Sequence, residues 1–130
     1  RTAEAFAVEE LIVTGITPVL DDKKVQKTAM GVKLKWSQSL DAVKFVKEAK
    51  KNKIKIYALE KSVNSKKIDV KLVELPAILV VGNEEFGVSK ELLKLSDDIF
   101  HIDMYGRKNS LNVAVATSIS LYEICKKIDD

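Results

Sequence analysis

Cysteine occurs once in this chain, at Cys125, so no disulfide can close within it, and that scarcity fits a reducing compartment. Arginine is nearly as rare: among 22 basic residues only Arg1 and Arg107 are arginines. A guanidinium is the better fork for phosphate and carboxylate, so those two positions carry more weight than any single lysine. No apolar run is long enough to span a bilayer, and no secretory signal pattern is visible. Internal repeats, low-complexity tracts and domain linkers are missing too. So are the Gly-Lys-Ser/Thr ending of a P-loop and the G-x-G-x-x-G pattern of a dinucleotide site, which argues against ATP or NAD.

What is present is 130 residues, 46% hydrophobic and 32% charged, enough apolar material for the core of one domain. The net charge of +3 is compatible with a nucleic-acid partner and does not require one.

Periodicity sets out alternating strands and helices. "RTAEAF" is helix-compatible, with Ala3, Phe6 and Ala7 at helical spacing, and "ELIVTG" reads as a short buried strand ending at Gly15. "ITPVLDDKKVQKTAMG" is a polar loop with a helical turn over 22–29. Residues 39–51 form an amphipathic helix, capped by Ser39, with Leu40, Val43, Val46 and Ala49 on its apolar stripe. Strands follow at 53–59, in "AILVV" at 77–81 and in "DIFHID" at 98–103, and a short one is expected near 70–73. "AILVV" is apolar on both faces, as a central parallel strand should be. "SKELLKL" is a short helix capped by Ser89, and "SLNVAVATSISLYEICKKI" is a long final helix. The alternation predicts an α/β fold with a parallel sheet flanked by helices. The small residues Ala114, Ala116, Thr117, Ser118 and Ser120 of the last helix fit tight packing on its own sheet, or a crowded crossing or dimer interface.

Two loops stand out. "GNEEFGVS", residues 82–89, follows the most apolar strand, where open α/β sheets bind ligands. Glu84 and Glu85 oppose a polyphosphate, so on this loop alone a tight strand-to-helix turn with solvated carboxylates is the simpler account; a ligand with positive charge changes the balance. The second loop, within "HIDMYGRKNSLNVAV" at 101–115, holds Asn109, Ser110 and Asn112, all good helix caps, where one cap is needed. That surplus points to a working loop. The lysines at 44, 47, 50, 51, 53 and 55, and at 23, 24 and 27, suit an RNA backbone, but a solvated helix face explains the first group equally well, and no site residue is placed there.

At this point the residues resemble a family. "VVGNEEFGVS", "IDMYGRKNSLNVAVATSISLYE" and the opening "RTAEAFAVEELIV" are similar to the three ordered motifs of the SpoU–TrmH RNA ribose 2′-O-methyltransferases of the SPOUT superfamily, and "GITP…QKTAMG" supports the match. The third motif is the most specific and the first is present only in part. The resemblance implies a single SPOUT domain over 1–130, with a parallel sheet and a C-terminal deep trefoil knot, although knots are very rare. It implies S-adenosylmethionine as cofactor, tRNA or rRNA as substrate, a homodimer with active sites at the subunit interface, a cytoplasmic location, and no metal or membrane. The competing expectation is a catalytically inactive member of the same fold that binds RNA or cofactor only.

Carried over by position, Arg1, Glu84, Ser110 and Asn112 match the family's catalytic residues. Gly82, Ile102 and Leu111 match cofactor contacts made largely through backbone, with Met104 in the same wall and Leu59 at the end of the preceding strand. An acidic glycine loop suits this cofactor, which carries a sulfonium and an ammonium and no phosphate chain. Three features depart from the family pattern. Ala7 stands where glycine is common, Asp103 stands where proline is common, and the family's first motif begins upstream of Arg1 with a strand that these residues lack.

Overall fold

The computed structural model describes residues 2–14, 35–39, 41–83, 85–108 and 110–129. Arg1, Gly15, Leu40, Glu84, Asn109 and the expected turn over 22–29 lie outside the described residues. The chain divides into two compact units, 1–45 and 46–130.

The first unit holds helix α1 (Thr2–Ala5) and strands β1 (Leu11–Thr14) and β2 (Trp36–Ser39). The strands pair in parallel, with Leu11 opposite Trp36 and Thr14 opposite Ser39. β2 has no counterpart in the sequence reading, because "WSQS" lacks the apolar run that marks a strand. α1 stops in a Schellman turn: Val8 N–H donates to the Ala3 carbonyl and Ala7 N–H to that of Glu4, both at 2.9 Å. Ala7 takes the left-handed position of that turn, with φ 55°. Glycine suits this position because a Cβ is penalised there.

Helix α2 (Ala42–Lys51) starts later than expected. Ser39 is the last residue of β2, and the capping acceptor is Asp41, whose Oδ1 takes the Lys44 N–H at 3.0 Å. α2 ends in a second Schellman turn. Ile54 N–H reaches the Ala49 carbonyl, Lys53 N–H reaches that of Lys50, and Lys53 is left-handed at φ 62°.

In the second unit, strands β3 (Lys55–Leu59), β4 (Lys66–Lys67), β5 (Ala77–Val81) and β6 (Asp98–His101) form a parallel sheet in the order β4-β6-β3-β5. Helices α3 (Lys90–Leu95) and α4 (Val113–Cys125) complete it. Ser89 caps α3 as expected, its Oγ accepting from Leu92 N–H at 3.3 Å. Side chains alternate across the sheet. Tyr57, Ala77, Leu79 and Phe100 pack with Val73 and with Ile124 of α4. Ile56, Ile78 and Val80 pack the opposite face with Val46 and Ala49 of α2 and Leu92 and Leu95 of α3. The parallel α/β expectation therefore holds, with helices on both faces.

Three local expectations change. β5 is an edge of this sheet among the described residues, and β3 and β6 are the inner strands. An apolar run on both faces says that both faces are covered, and it carries no information on lateral order. Residues 70–72 are a 3₁₀ turn rather than a strand, because the Asp69 carboxylate caps it through the Lys71 N–H at 2.9 Å. β6 ends at His101, short of Asp103. The final helix packs on its own sheet through Ser120, Leu121 and Ile124, which are buried, while Val115, Ile119 and Tyr122 are exposed.

Polar groups pin the central strand at its start. Asp97 Oδ2 accepts from Ile56 N–H at 2.8 Å, Asp97 N–H donates to the Ile56 carbonyl at 2.7 Å, and Lys50 Nζ donates to the Leu95 carbonyl at 2.6 Å. The buried Tyr57 ring stacks on Phe100, with centroids 5.3 Å apart, and its hydroxyl accepts the Glu74 N–H at 2.7 Å. Burial pushes the Tyr57 phenol above its ordinary value of 10.0.

Two predictions follow from these strained and buried positions. Replacing Lys53 or Ala7 by glycine relieves a left-handed Cβ and raises stability by about 0.5–1 kcal/mol in urea unfolding, with the gains additive. Tyr57→Phe orphans the Glu74 N–H and costs about 1–3 kcal/mol. The raised phenol contributes stability that is complete below pH 10 and lost as pH rises through the folded-state value, so unfolding curves above pH 10 fall less steeply for Tyr57→Phe than for the wild type.

Candidate functional site

Because β3, β5 and β6 run parallel and in register, their carboxyl ends finish at one level. They open onto a cleft of about 580 Å³. β3 contributes Leu59 and then Glu60 and Lys61; β5 contributes Val81 and then Gly82 and Asn83; β6 contributes His101 and then Ile102 and Met104. The segment from Ser110 to Val113, with Ala116 of α4, closes the remaining side.

The glycine loop is a tightly folded element. Asn83 Oδ1 accepts the N–H groups of Glu85 at 2.9 Å and Phe86 at 2.6 Å, an Asx-type turn, and Gly87 N–H returns to the Asn83 carbonyl at 3.0 Å. The turn brings Gly82 against Gly87 so closely that a Cβ on Gly82 would collide with the backbone of Gly87 and Val88. Gly87 itself has φ +67°, and a Cβ there would strike the Glu60 carboxylate. Glu60 Oε2 in turn accepts the Val88 N–H at 2.7 Å. The two glycines of "GNEEFGVS" are therefore steric requirements of the turn, and an acid from the neighbouring strand holds it.

On the other wall, His101 ties two loops together. Its Nδ1 lies 2.8 Å from Ser65 Oγ and its Nε2 3.1 Å from Asp103 Oδ1, while Lys67 Nζ lies 3.4 Å from Asp103 Oδ2. Asp103, at the position where proline is common, here supplies a carboxylate to this network. Asn112 is the cap of α4: its Oδ1 accepts from Ala114 N–H at 2.8 Å and Val115 N–H at 3.4 Å. Of the three cap candidates in the sequence this one caps, while Ser110 is an exposed residue of the cleft wall and Asn109 lies outside the described residues.

The predicted cofactor contacts Leu59, Gly82, Ile102, Met104 and Leu111 all line this one cleft, and so do the predicted Ser110 and Asn112. Arg1 and Glu84 lie outside the described residues. Sequence reasoning missed Glu60, Asn83, Gly87 and His101. Glu60 follows Leu59 directly and His101 is the single histidine of the chain, so position alone offered a signal for both. Among the described residues the charged lining is two carboxylates, Glu60 and Glu85, one lysine, Lys61, and the titratable His101. That balance disfavours a polyphosphate and admits a neutral or cationic ligand of moderate size. No group of three or more His, Cys, Asp or Glu side chains is placed to hold a metal among the described residues, and none of the described helices is long and apolar enough to cross a membrane.

Comparison with known proteins places this geometry. The Escherichia coli (strain K12) tRNA (guanosine(18)-2′-O)-methyltransferase is 30% identical over 128 residues, covering 95% of this chain and 54% of the relative. The solved TrmH/SpoU tRNA modifying enzyme of A. aeolicus superposes with a TM-score of 0.81 at 31% identity, over 98% of this chain and 66% of that one. An AdoMet-bound rRNA methyltransferase from Sinorhizobium meliloti gives a TM-score of 0.85 at 25% identity, over 97% of this chain and 49% of that one. The chain spans about half or less of the length of the curated relatives it matches. The model of the SpoU rRNA Methylase family matches residues 1–122, and with nearly the whole chain matched, this protein belongs to that family.

Proposed function

We propose that the chain is the catalytic domain of an S-adenosylmethionine-dependent ribose 2′-O-methyltransferase acting on tRNA or rRNA. The observation that carries this reading is the convergence of residues from separate family motifs, Gly82 from one and Ile102, Met104, Ser110, Leu111 and Asn112 from another, on a single cleft at the carboxyl ends of parallel strands. Relatives named for 2′-O-methylation of tRNA and of rRNA support both substrate classes.

The cofactor fits the residues present. The cleft volume of about 580 Å³ lies within the range of small-molecule sites, and its acidic lining suits a cation. Gly82, Ile102 and Leu111 hold it through backbone groups, with Leu59 and Met104 as apolar wall. When bound, it supplies an already activated methyl group, so no metal is needed. The chain's own task is alignment of the ribose oxygen with the methyl carbon and sulfur, and such positioning supplies much of the rate. Asn112 fixes the start of α4 and with it the Ser110–Leu111 wall. Arg1 and Glu84 complete the proposal as the motif-one cation and its orienting acid. A guanidinium stays protonated in proteins, so Arg1 acts by holding an RNA phosphate or stabilising the developing alkoxide rather than by taking a proton. The 2′-hydroxyl is the group that separates RNA from DNA as a substrate.

The same proposal includes a homodimer, a trefoil knot over the C-terminal motifs, and a cytoplasmic site of action. The apolar exposed residues Val115, Ile119 and Tyr122 of α4 support a dimer contact.

The test is methyl transfer by the full-length protein from labelled S-adenosylmethionine to RNA that lacks the modification, read by nucleoside mass spectrometry. A new 2′-O-methylnucleoside is expected, reduced by roughly 100-fold or more in Arg1→Ala. Cofactor binding without product would replace this reading by a binding-only role. Gly82→Ala pushes a Cβ into the Gly87 backbone, and isothermal titration is expected to find cofactor affinity lowered at least about 10-fold, with the far-UV circular dichroism of the sheet retained.

A further inference from the structure

Glu60 sits at the end of β3, one of two inner strands, with its N–H donated to the Phe100 carbonyl at 2.9 Å, so the sheet fixes its backbone. One carboxylate oxygen, Oε2, is committed to the Val88 N–H at 2.7 Å. The other makes no hydrogen bond, and no basic side chain pairs with the carboxylate, among the described residues. Lys61 lines the same cleft without forming an ion pair to it. Glu60 therefore presents to the cleft a negative charge that is held in place and lacks a cationic partner.

A ligand that fills the cleft strips water from this wall. A neutral ligand leaves the carboxylate less solvated and unpaired, whereas a cation offsets the loss by Coulomb attraction that strengthens as water leaves. Resting on the methyltransferase reading, we propose that Glu60 is a specificity-determining residue of the cleft, favouring the sulfonium donor over its demethylated thioether. In the transfer, the ribose oxygen bonds to the methyl carbon, the carbon–sulfur bond breaks with its electron pair kept on sulfur, and the hydroxyl proton leaves to solvent. Sulfur thereby becomes neutral while the ammonium is unchanged, so the part of the attraction that runs from Glu60 to sulfur is present for the donor and gone for the by-product. The device draws in the substrate form and loosens the spent form at the same residue.

The experiment is isothermal titration of S-adenosylmethionine and S-adenosylhomocysteine, in parallel, into the full-length protein and its Glu60→Gln variant, with melting curves for both proteins. Glutamine keeps an oxygen for the Val88 N–H and removes the charge. The expected result is a 3–10-fold loss of S-adenosylmethionine affinity, roughly the size of one screened charge pair, with S-adenosylhomocysteine changed by less than about twofold. Glu60→Ala, which also removes the acceptor, is expected to weaken both ligands. If Glu60→Gln does not fold, the wild type carries the test: the donor-to-by-product affinity ratio is expected to fall as salt rises from about 0.05 to 0.5 M. An equal change in both ligands for Glu60→Gln, or in the wild type a ratio insensitive to salt, overturns the proposal and leaves the methyltransferase reading standing. A wild type that binds neither ligand overturns the methyltransferase reading itself.

Discussion

The pairing of β3 with β5 on one side and β6 on the other, all parallel, is the constraint on which the second unit depends. Parallel strands point their carboxyl ends to the same edge, and here the register also ends them at nearly the same level. Here three chain segments emerge side by side, from Glu60, Gly82 and Ile102. Beyond the last ladder bond, which Glu60 N–H makes to the Phe100 carbonyl, backbone polar groups at such strand ends can serve a ligand. The pairing needs β3 to be dry on both faces, and Ile56, Tyr57 and Ala58 are each almost fully buried. Asp97 closes the start of that strand by acting as an extra pair of backbone-like groups towards Ile56. The cleft edge is thus positioned by interactions at the opposite end of the strands.

The glycine loop illustrates how a carboxylate can take a place usually given to a side-chain hydroxyl or a backbone carbonyl. Glu60 satisfies the Val88 N–H as the chain leaves the turn, and Val88 is itself buried. The close approach of Gly82 to the Gly87 backbone leaves no room for a Cβ at Gly82, while at Gly87 the positive φ disfavours one and the Glu60 carboxylate would have to move aside for it. The question raised by an acidic glycine loop thus resolves into two parts. The glycines serve packing of the turn, and the acidity sets the charge preference of the cleft.

Much of this was legible in the sequence, and the errors have physical causes. α3 and its Ser89 cap were readable because a cap acts within one turn of its own residue. Ser39 was misread as a cap because Asp41, two residues on, offers a competing acceptor, and the choice depends on where β2 ends. The segment at 70–73 has strand-like residues, yet the Asp69 side chain bends it into a 3₁₀ turn. "AILVV" announced that both of its faces are covered, and they are, but a central and an edge strand can share that pattern. In the cleft, motif residues such as Gly82 and Leu111 were found through resemblance. Glu60 and His101 were missed, because their roles lie largely in contacts with Val88 and Ser65, 28 and 36 positions away.

By itself the sequence determined the α/β class, since hydrophobic period and turn residues are local and each strand or helix announces its own face. It also determined the family, since three ordered motifs are a pattern of residue identities and need no coordinates. Only the tertiary structure decided which strands lie inside, which of three cap candidates caps α4, and that Glu60 holds the glycine loop. Those outcomes depend on hydrogen bonds and steric contacts between residues far apart along the chain, such as the 28 positions that separate Glu60 from Val88. No local pattern encodes such a contact, because its energy exists only once β3 and β5 have paired and brought the two segments to the same edge.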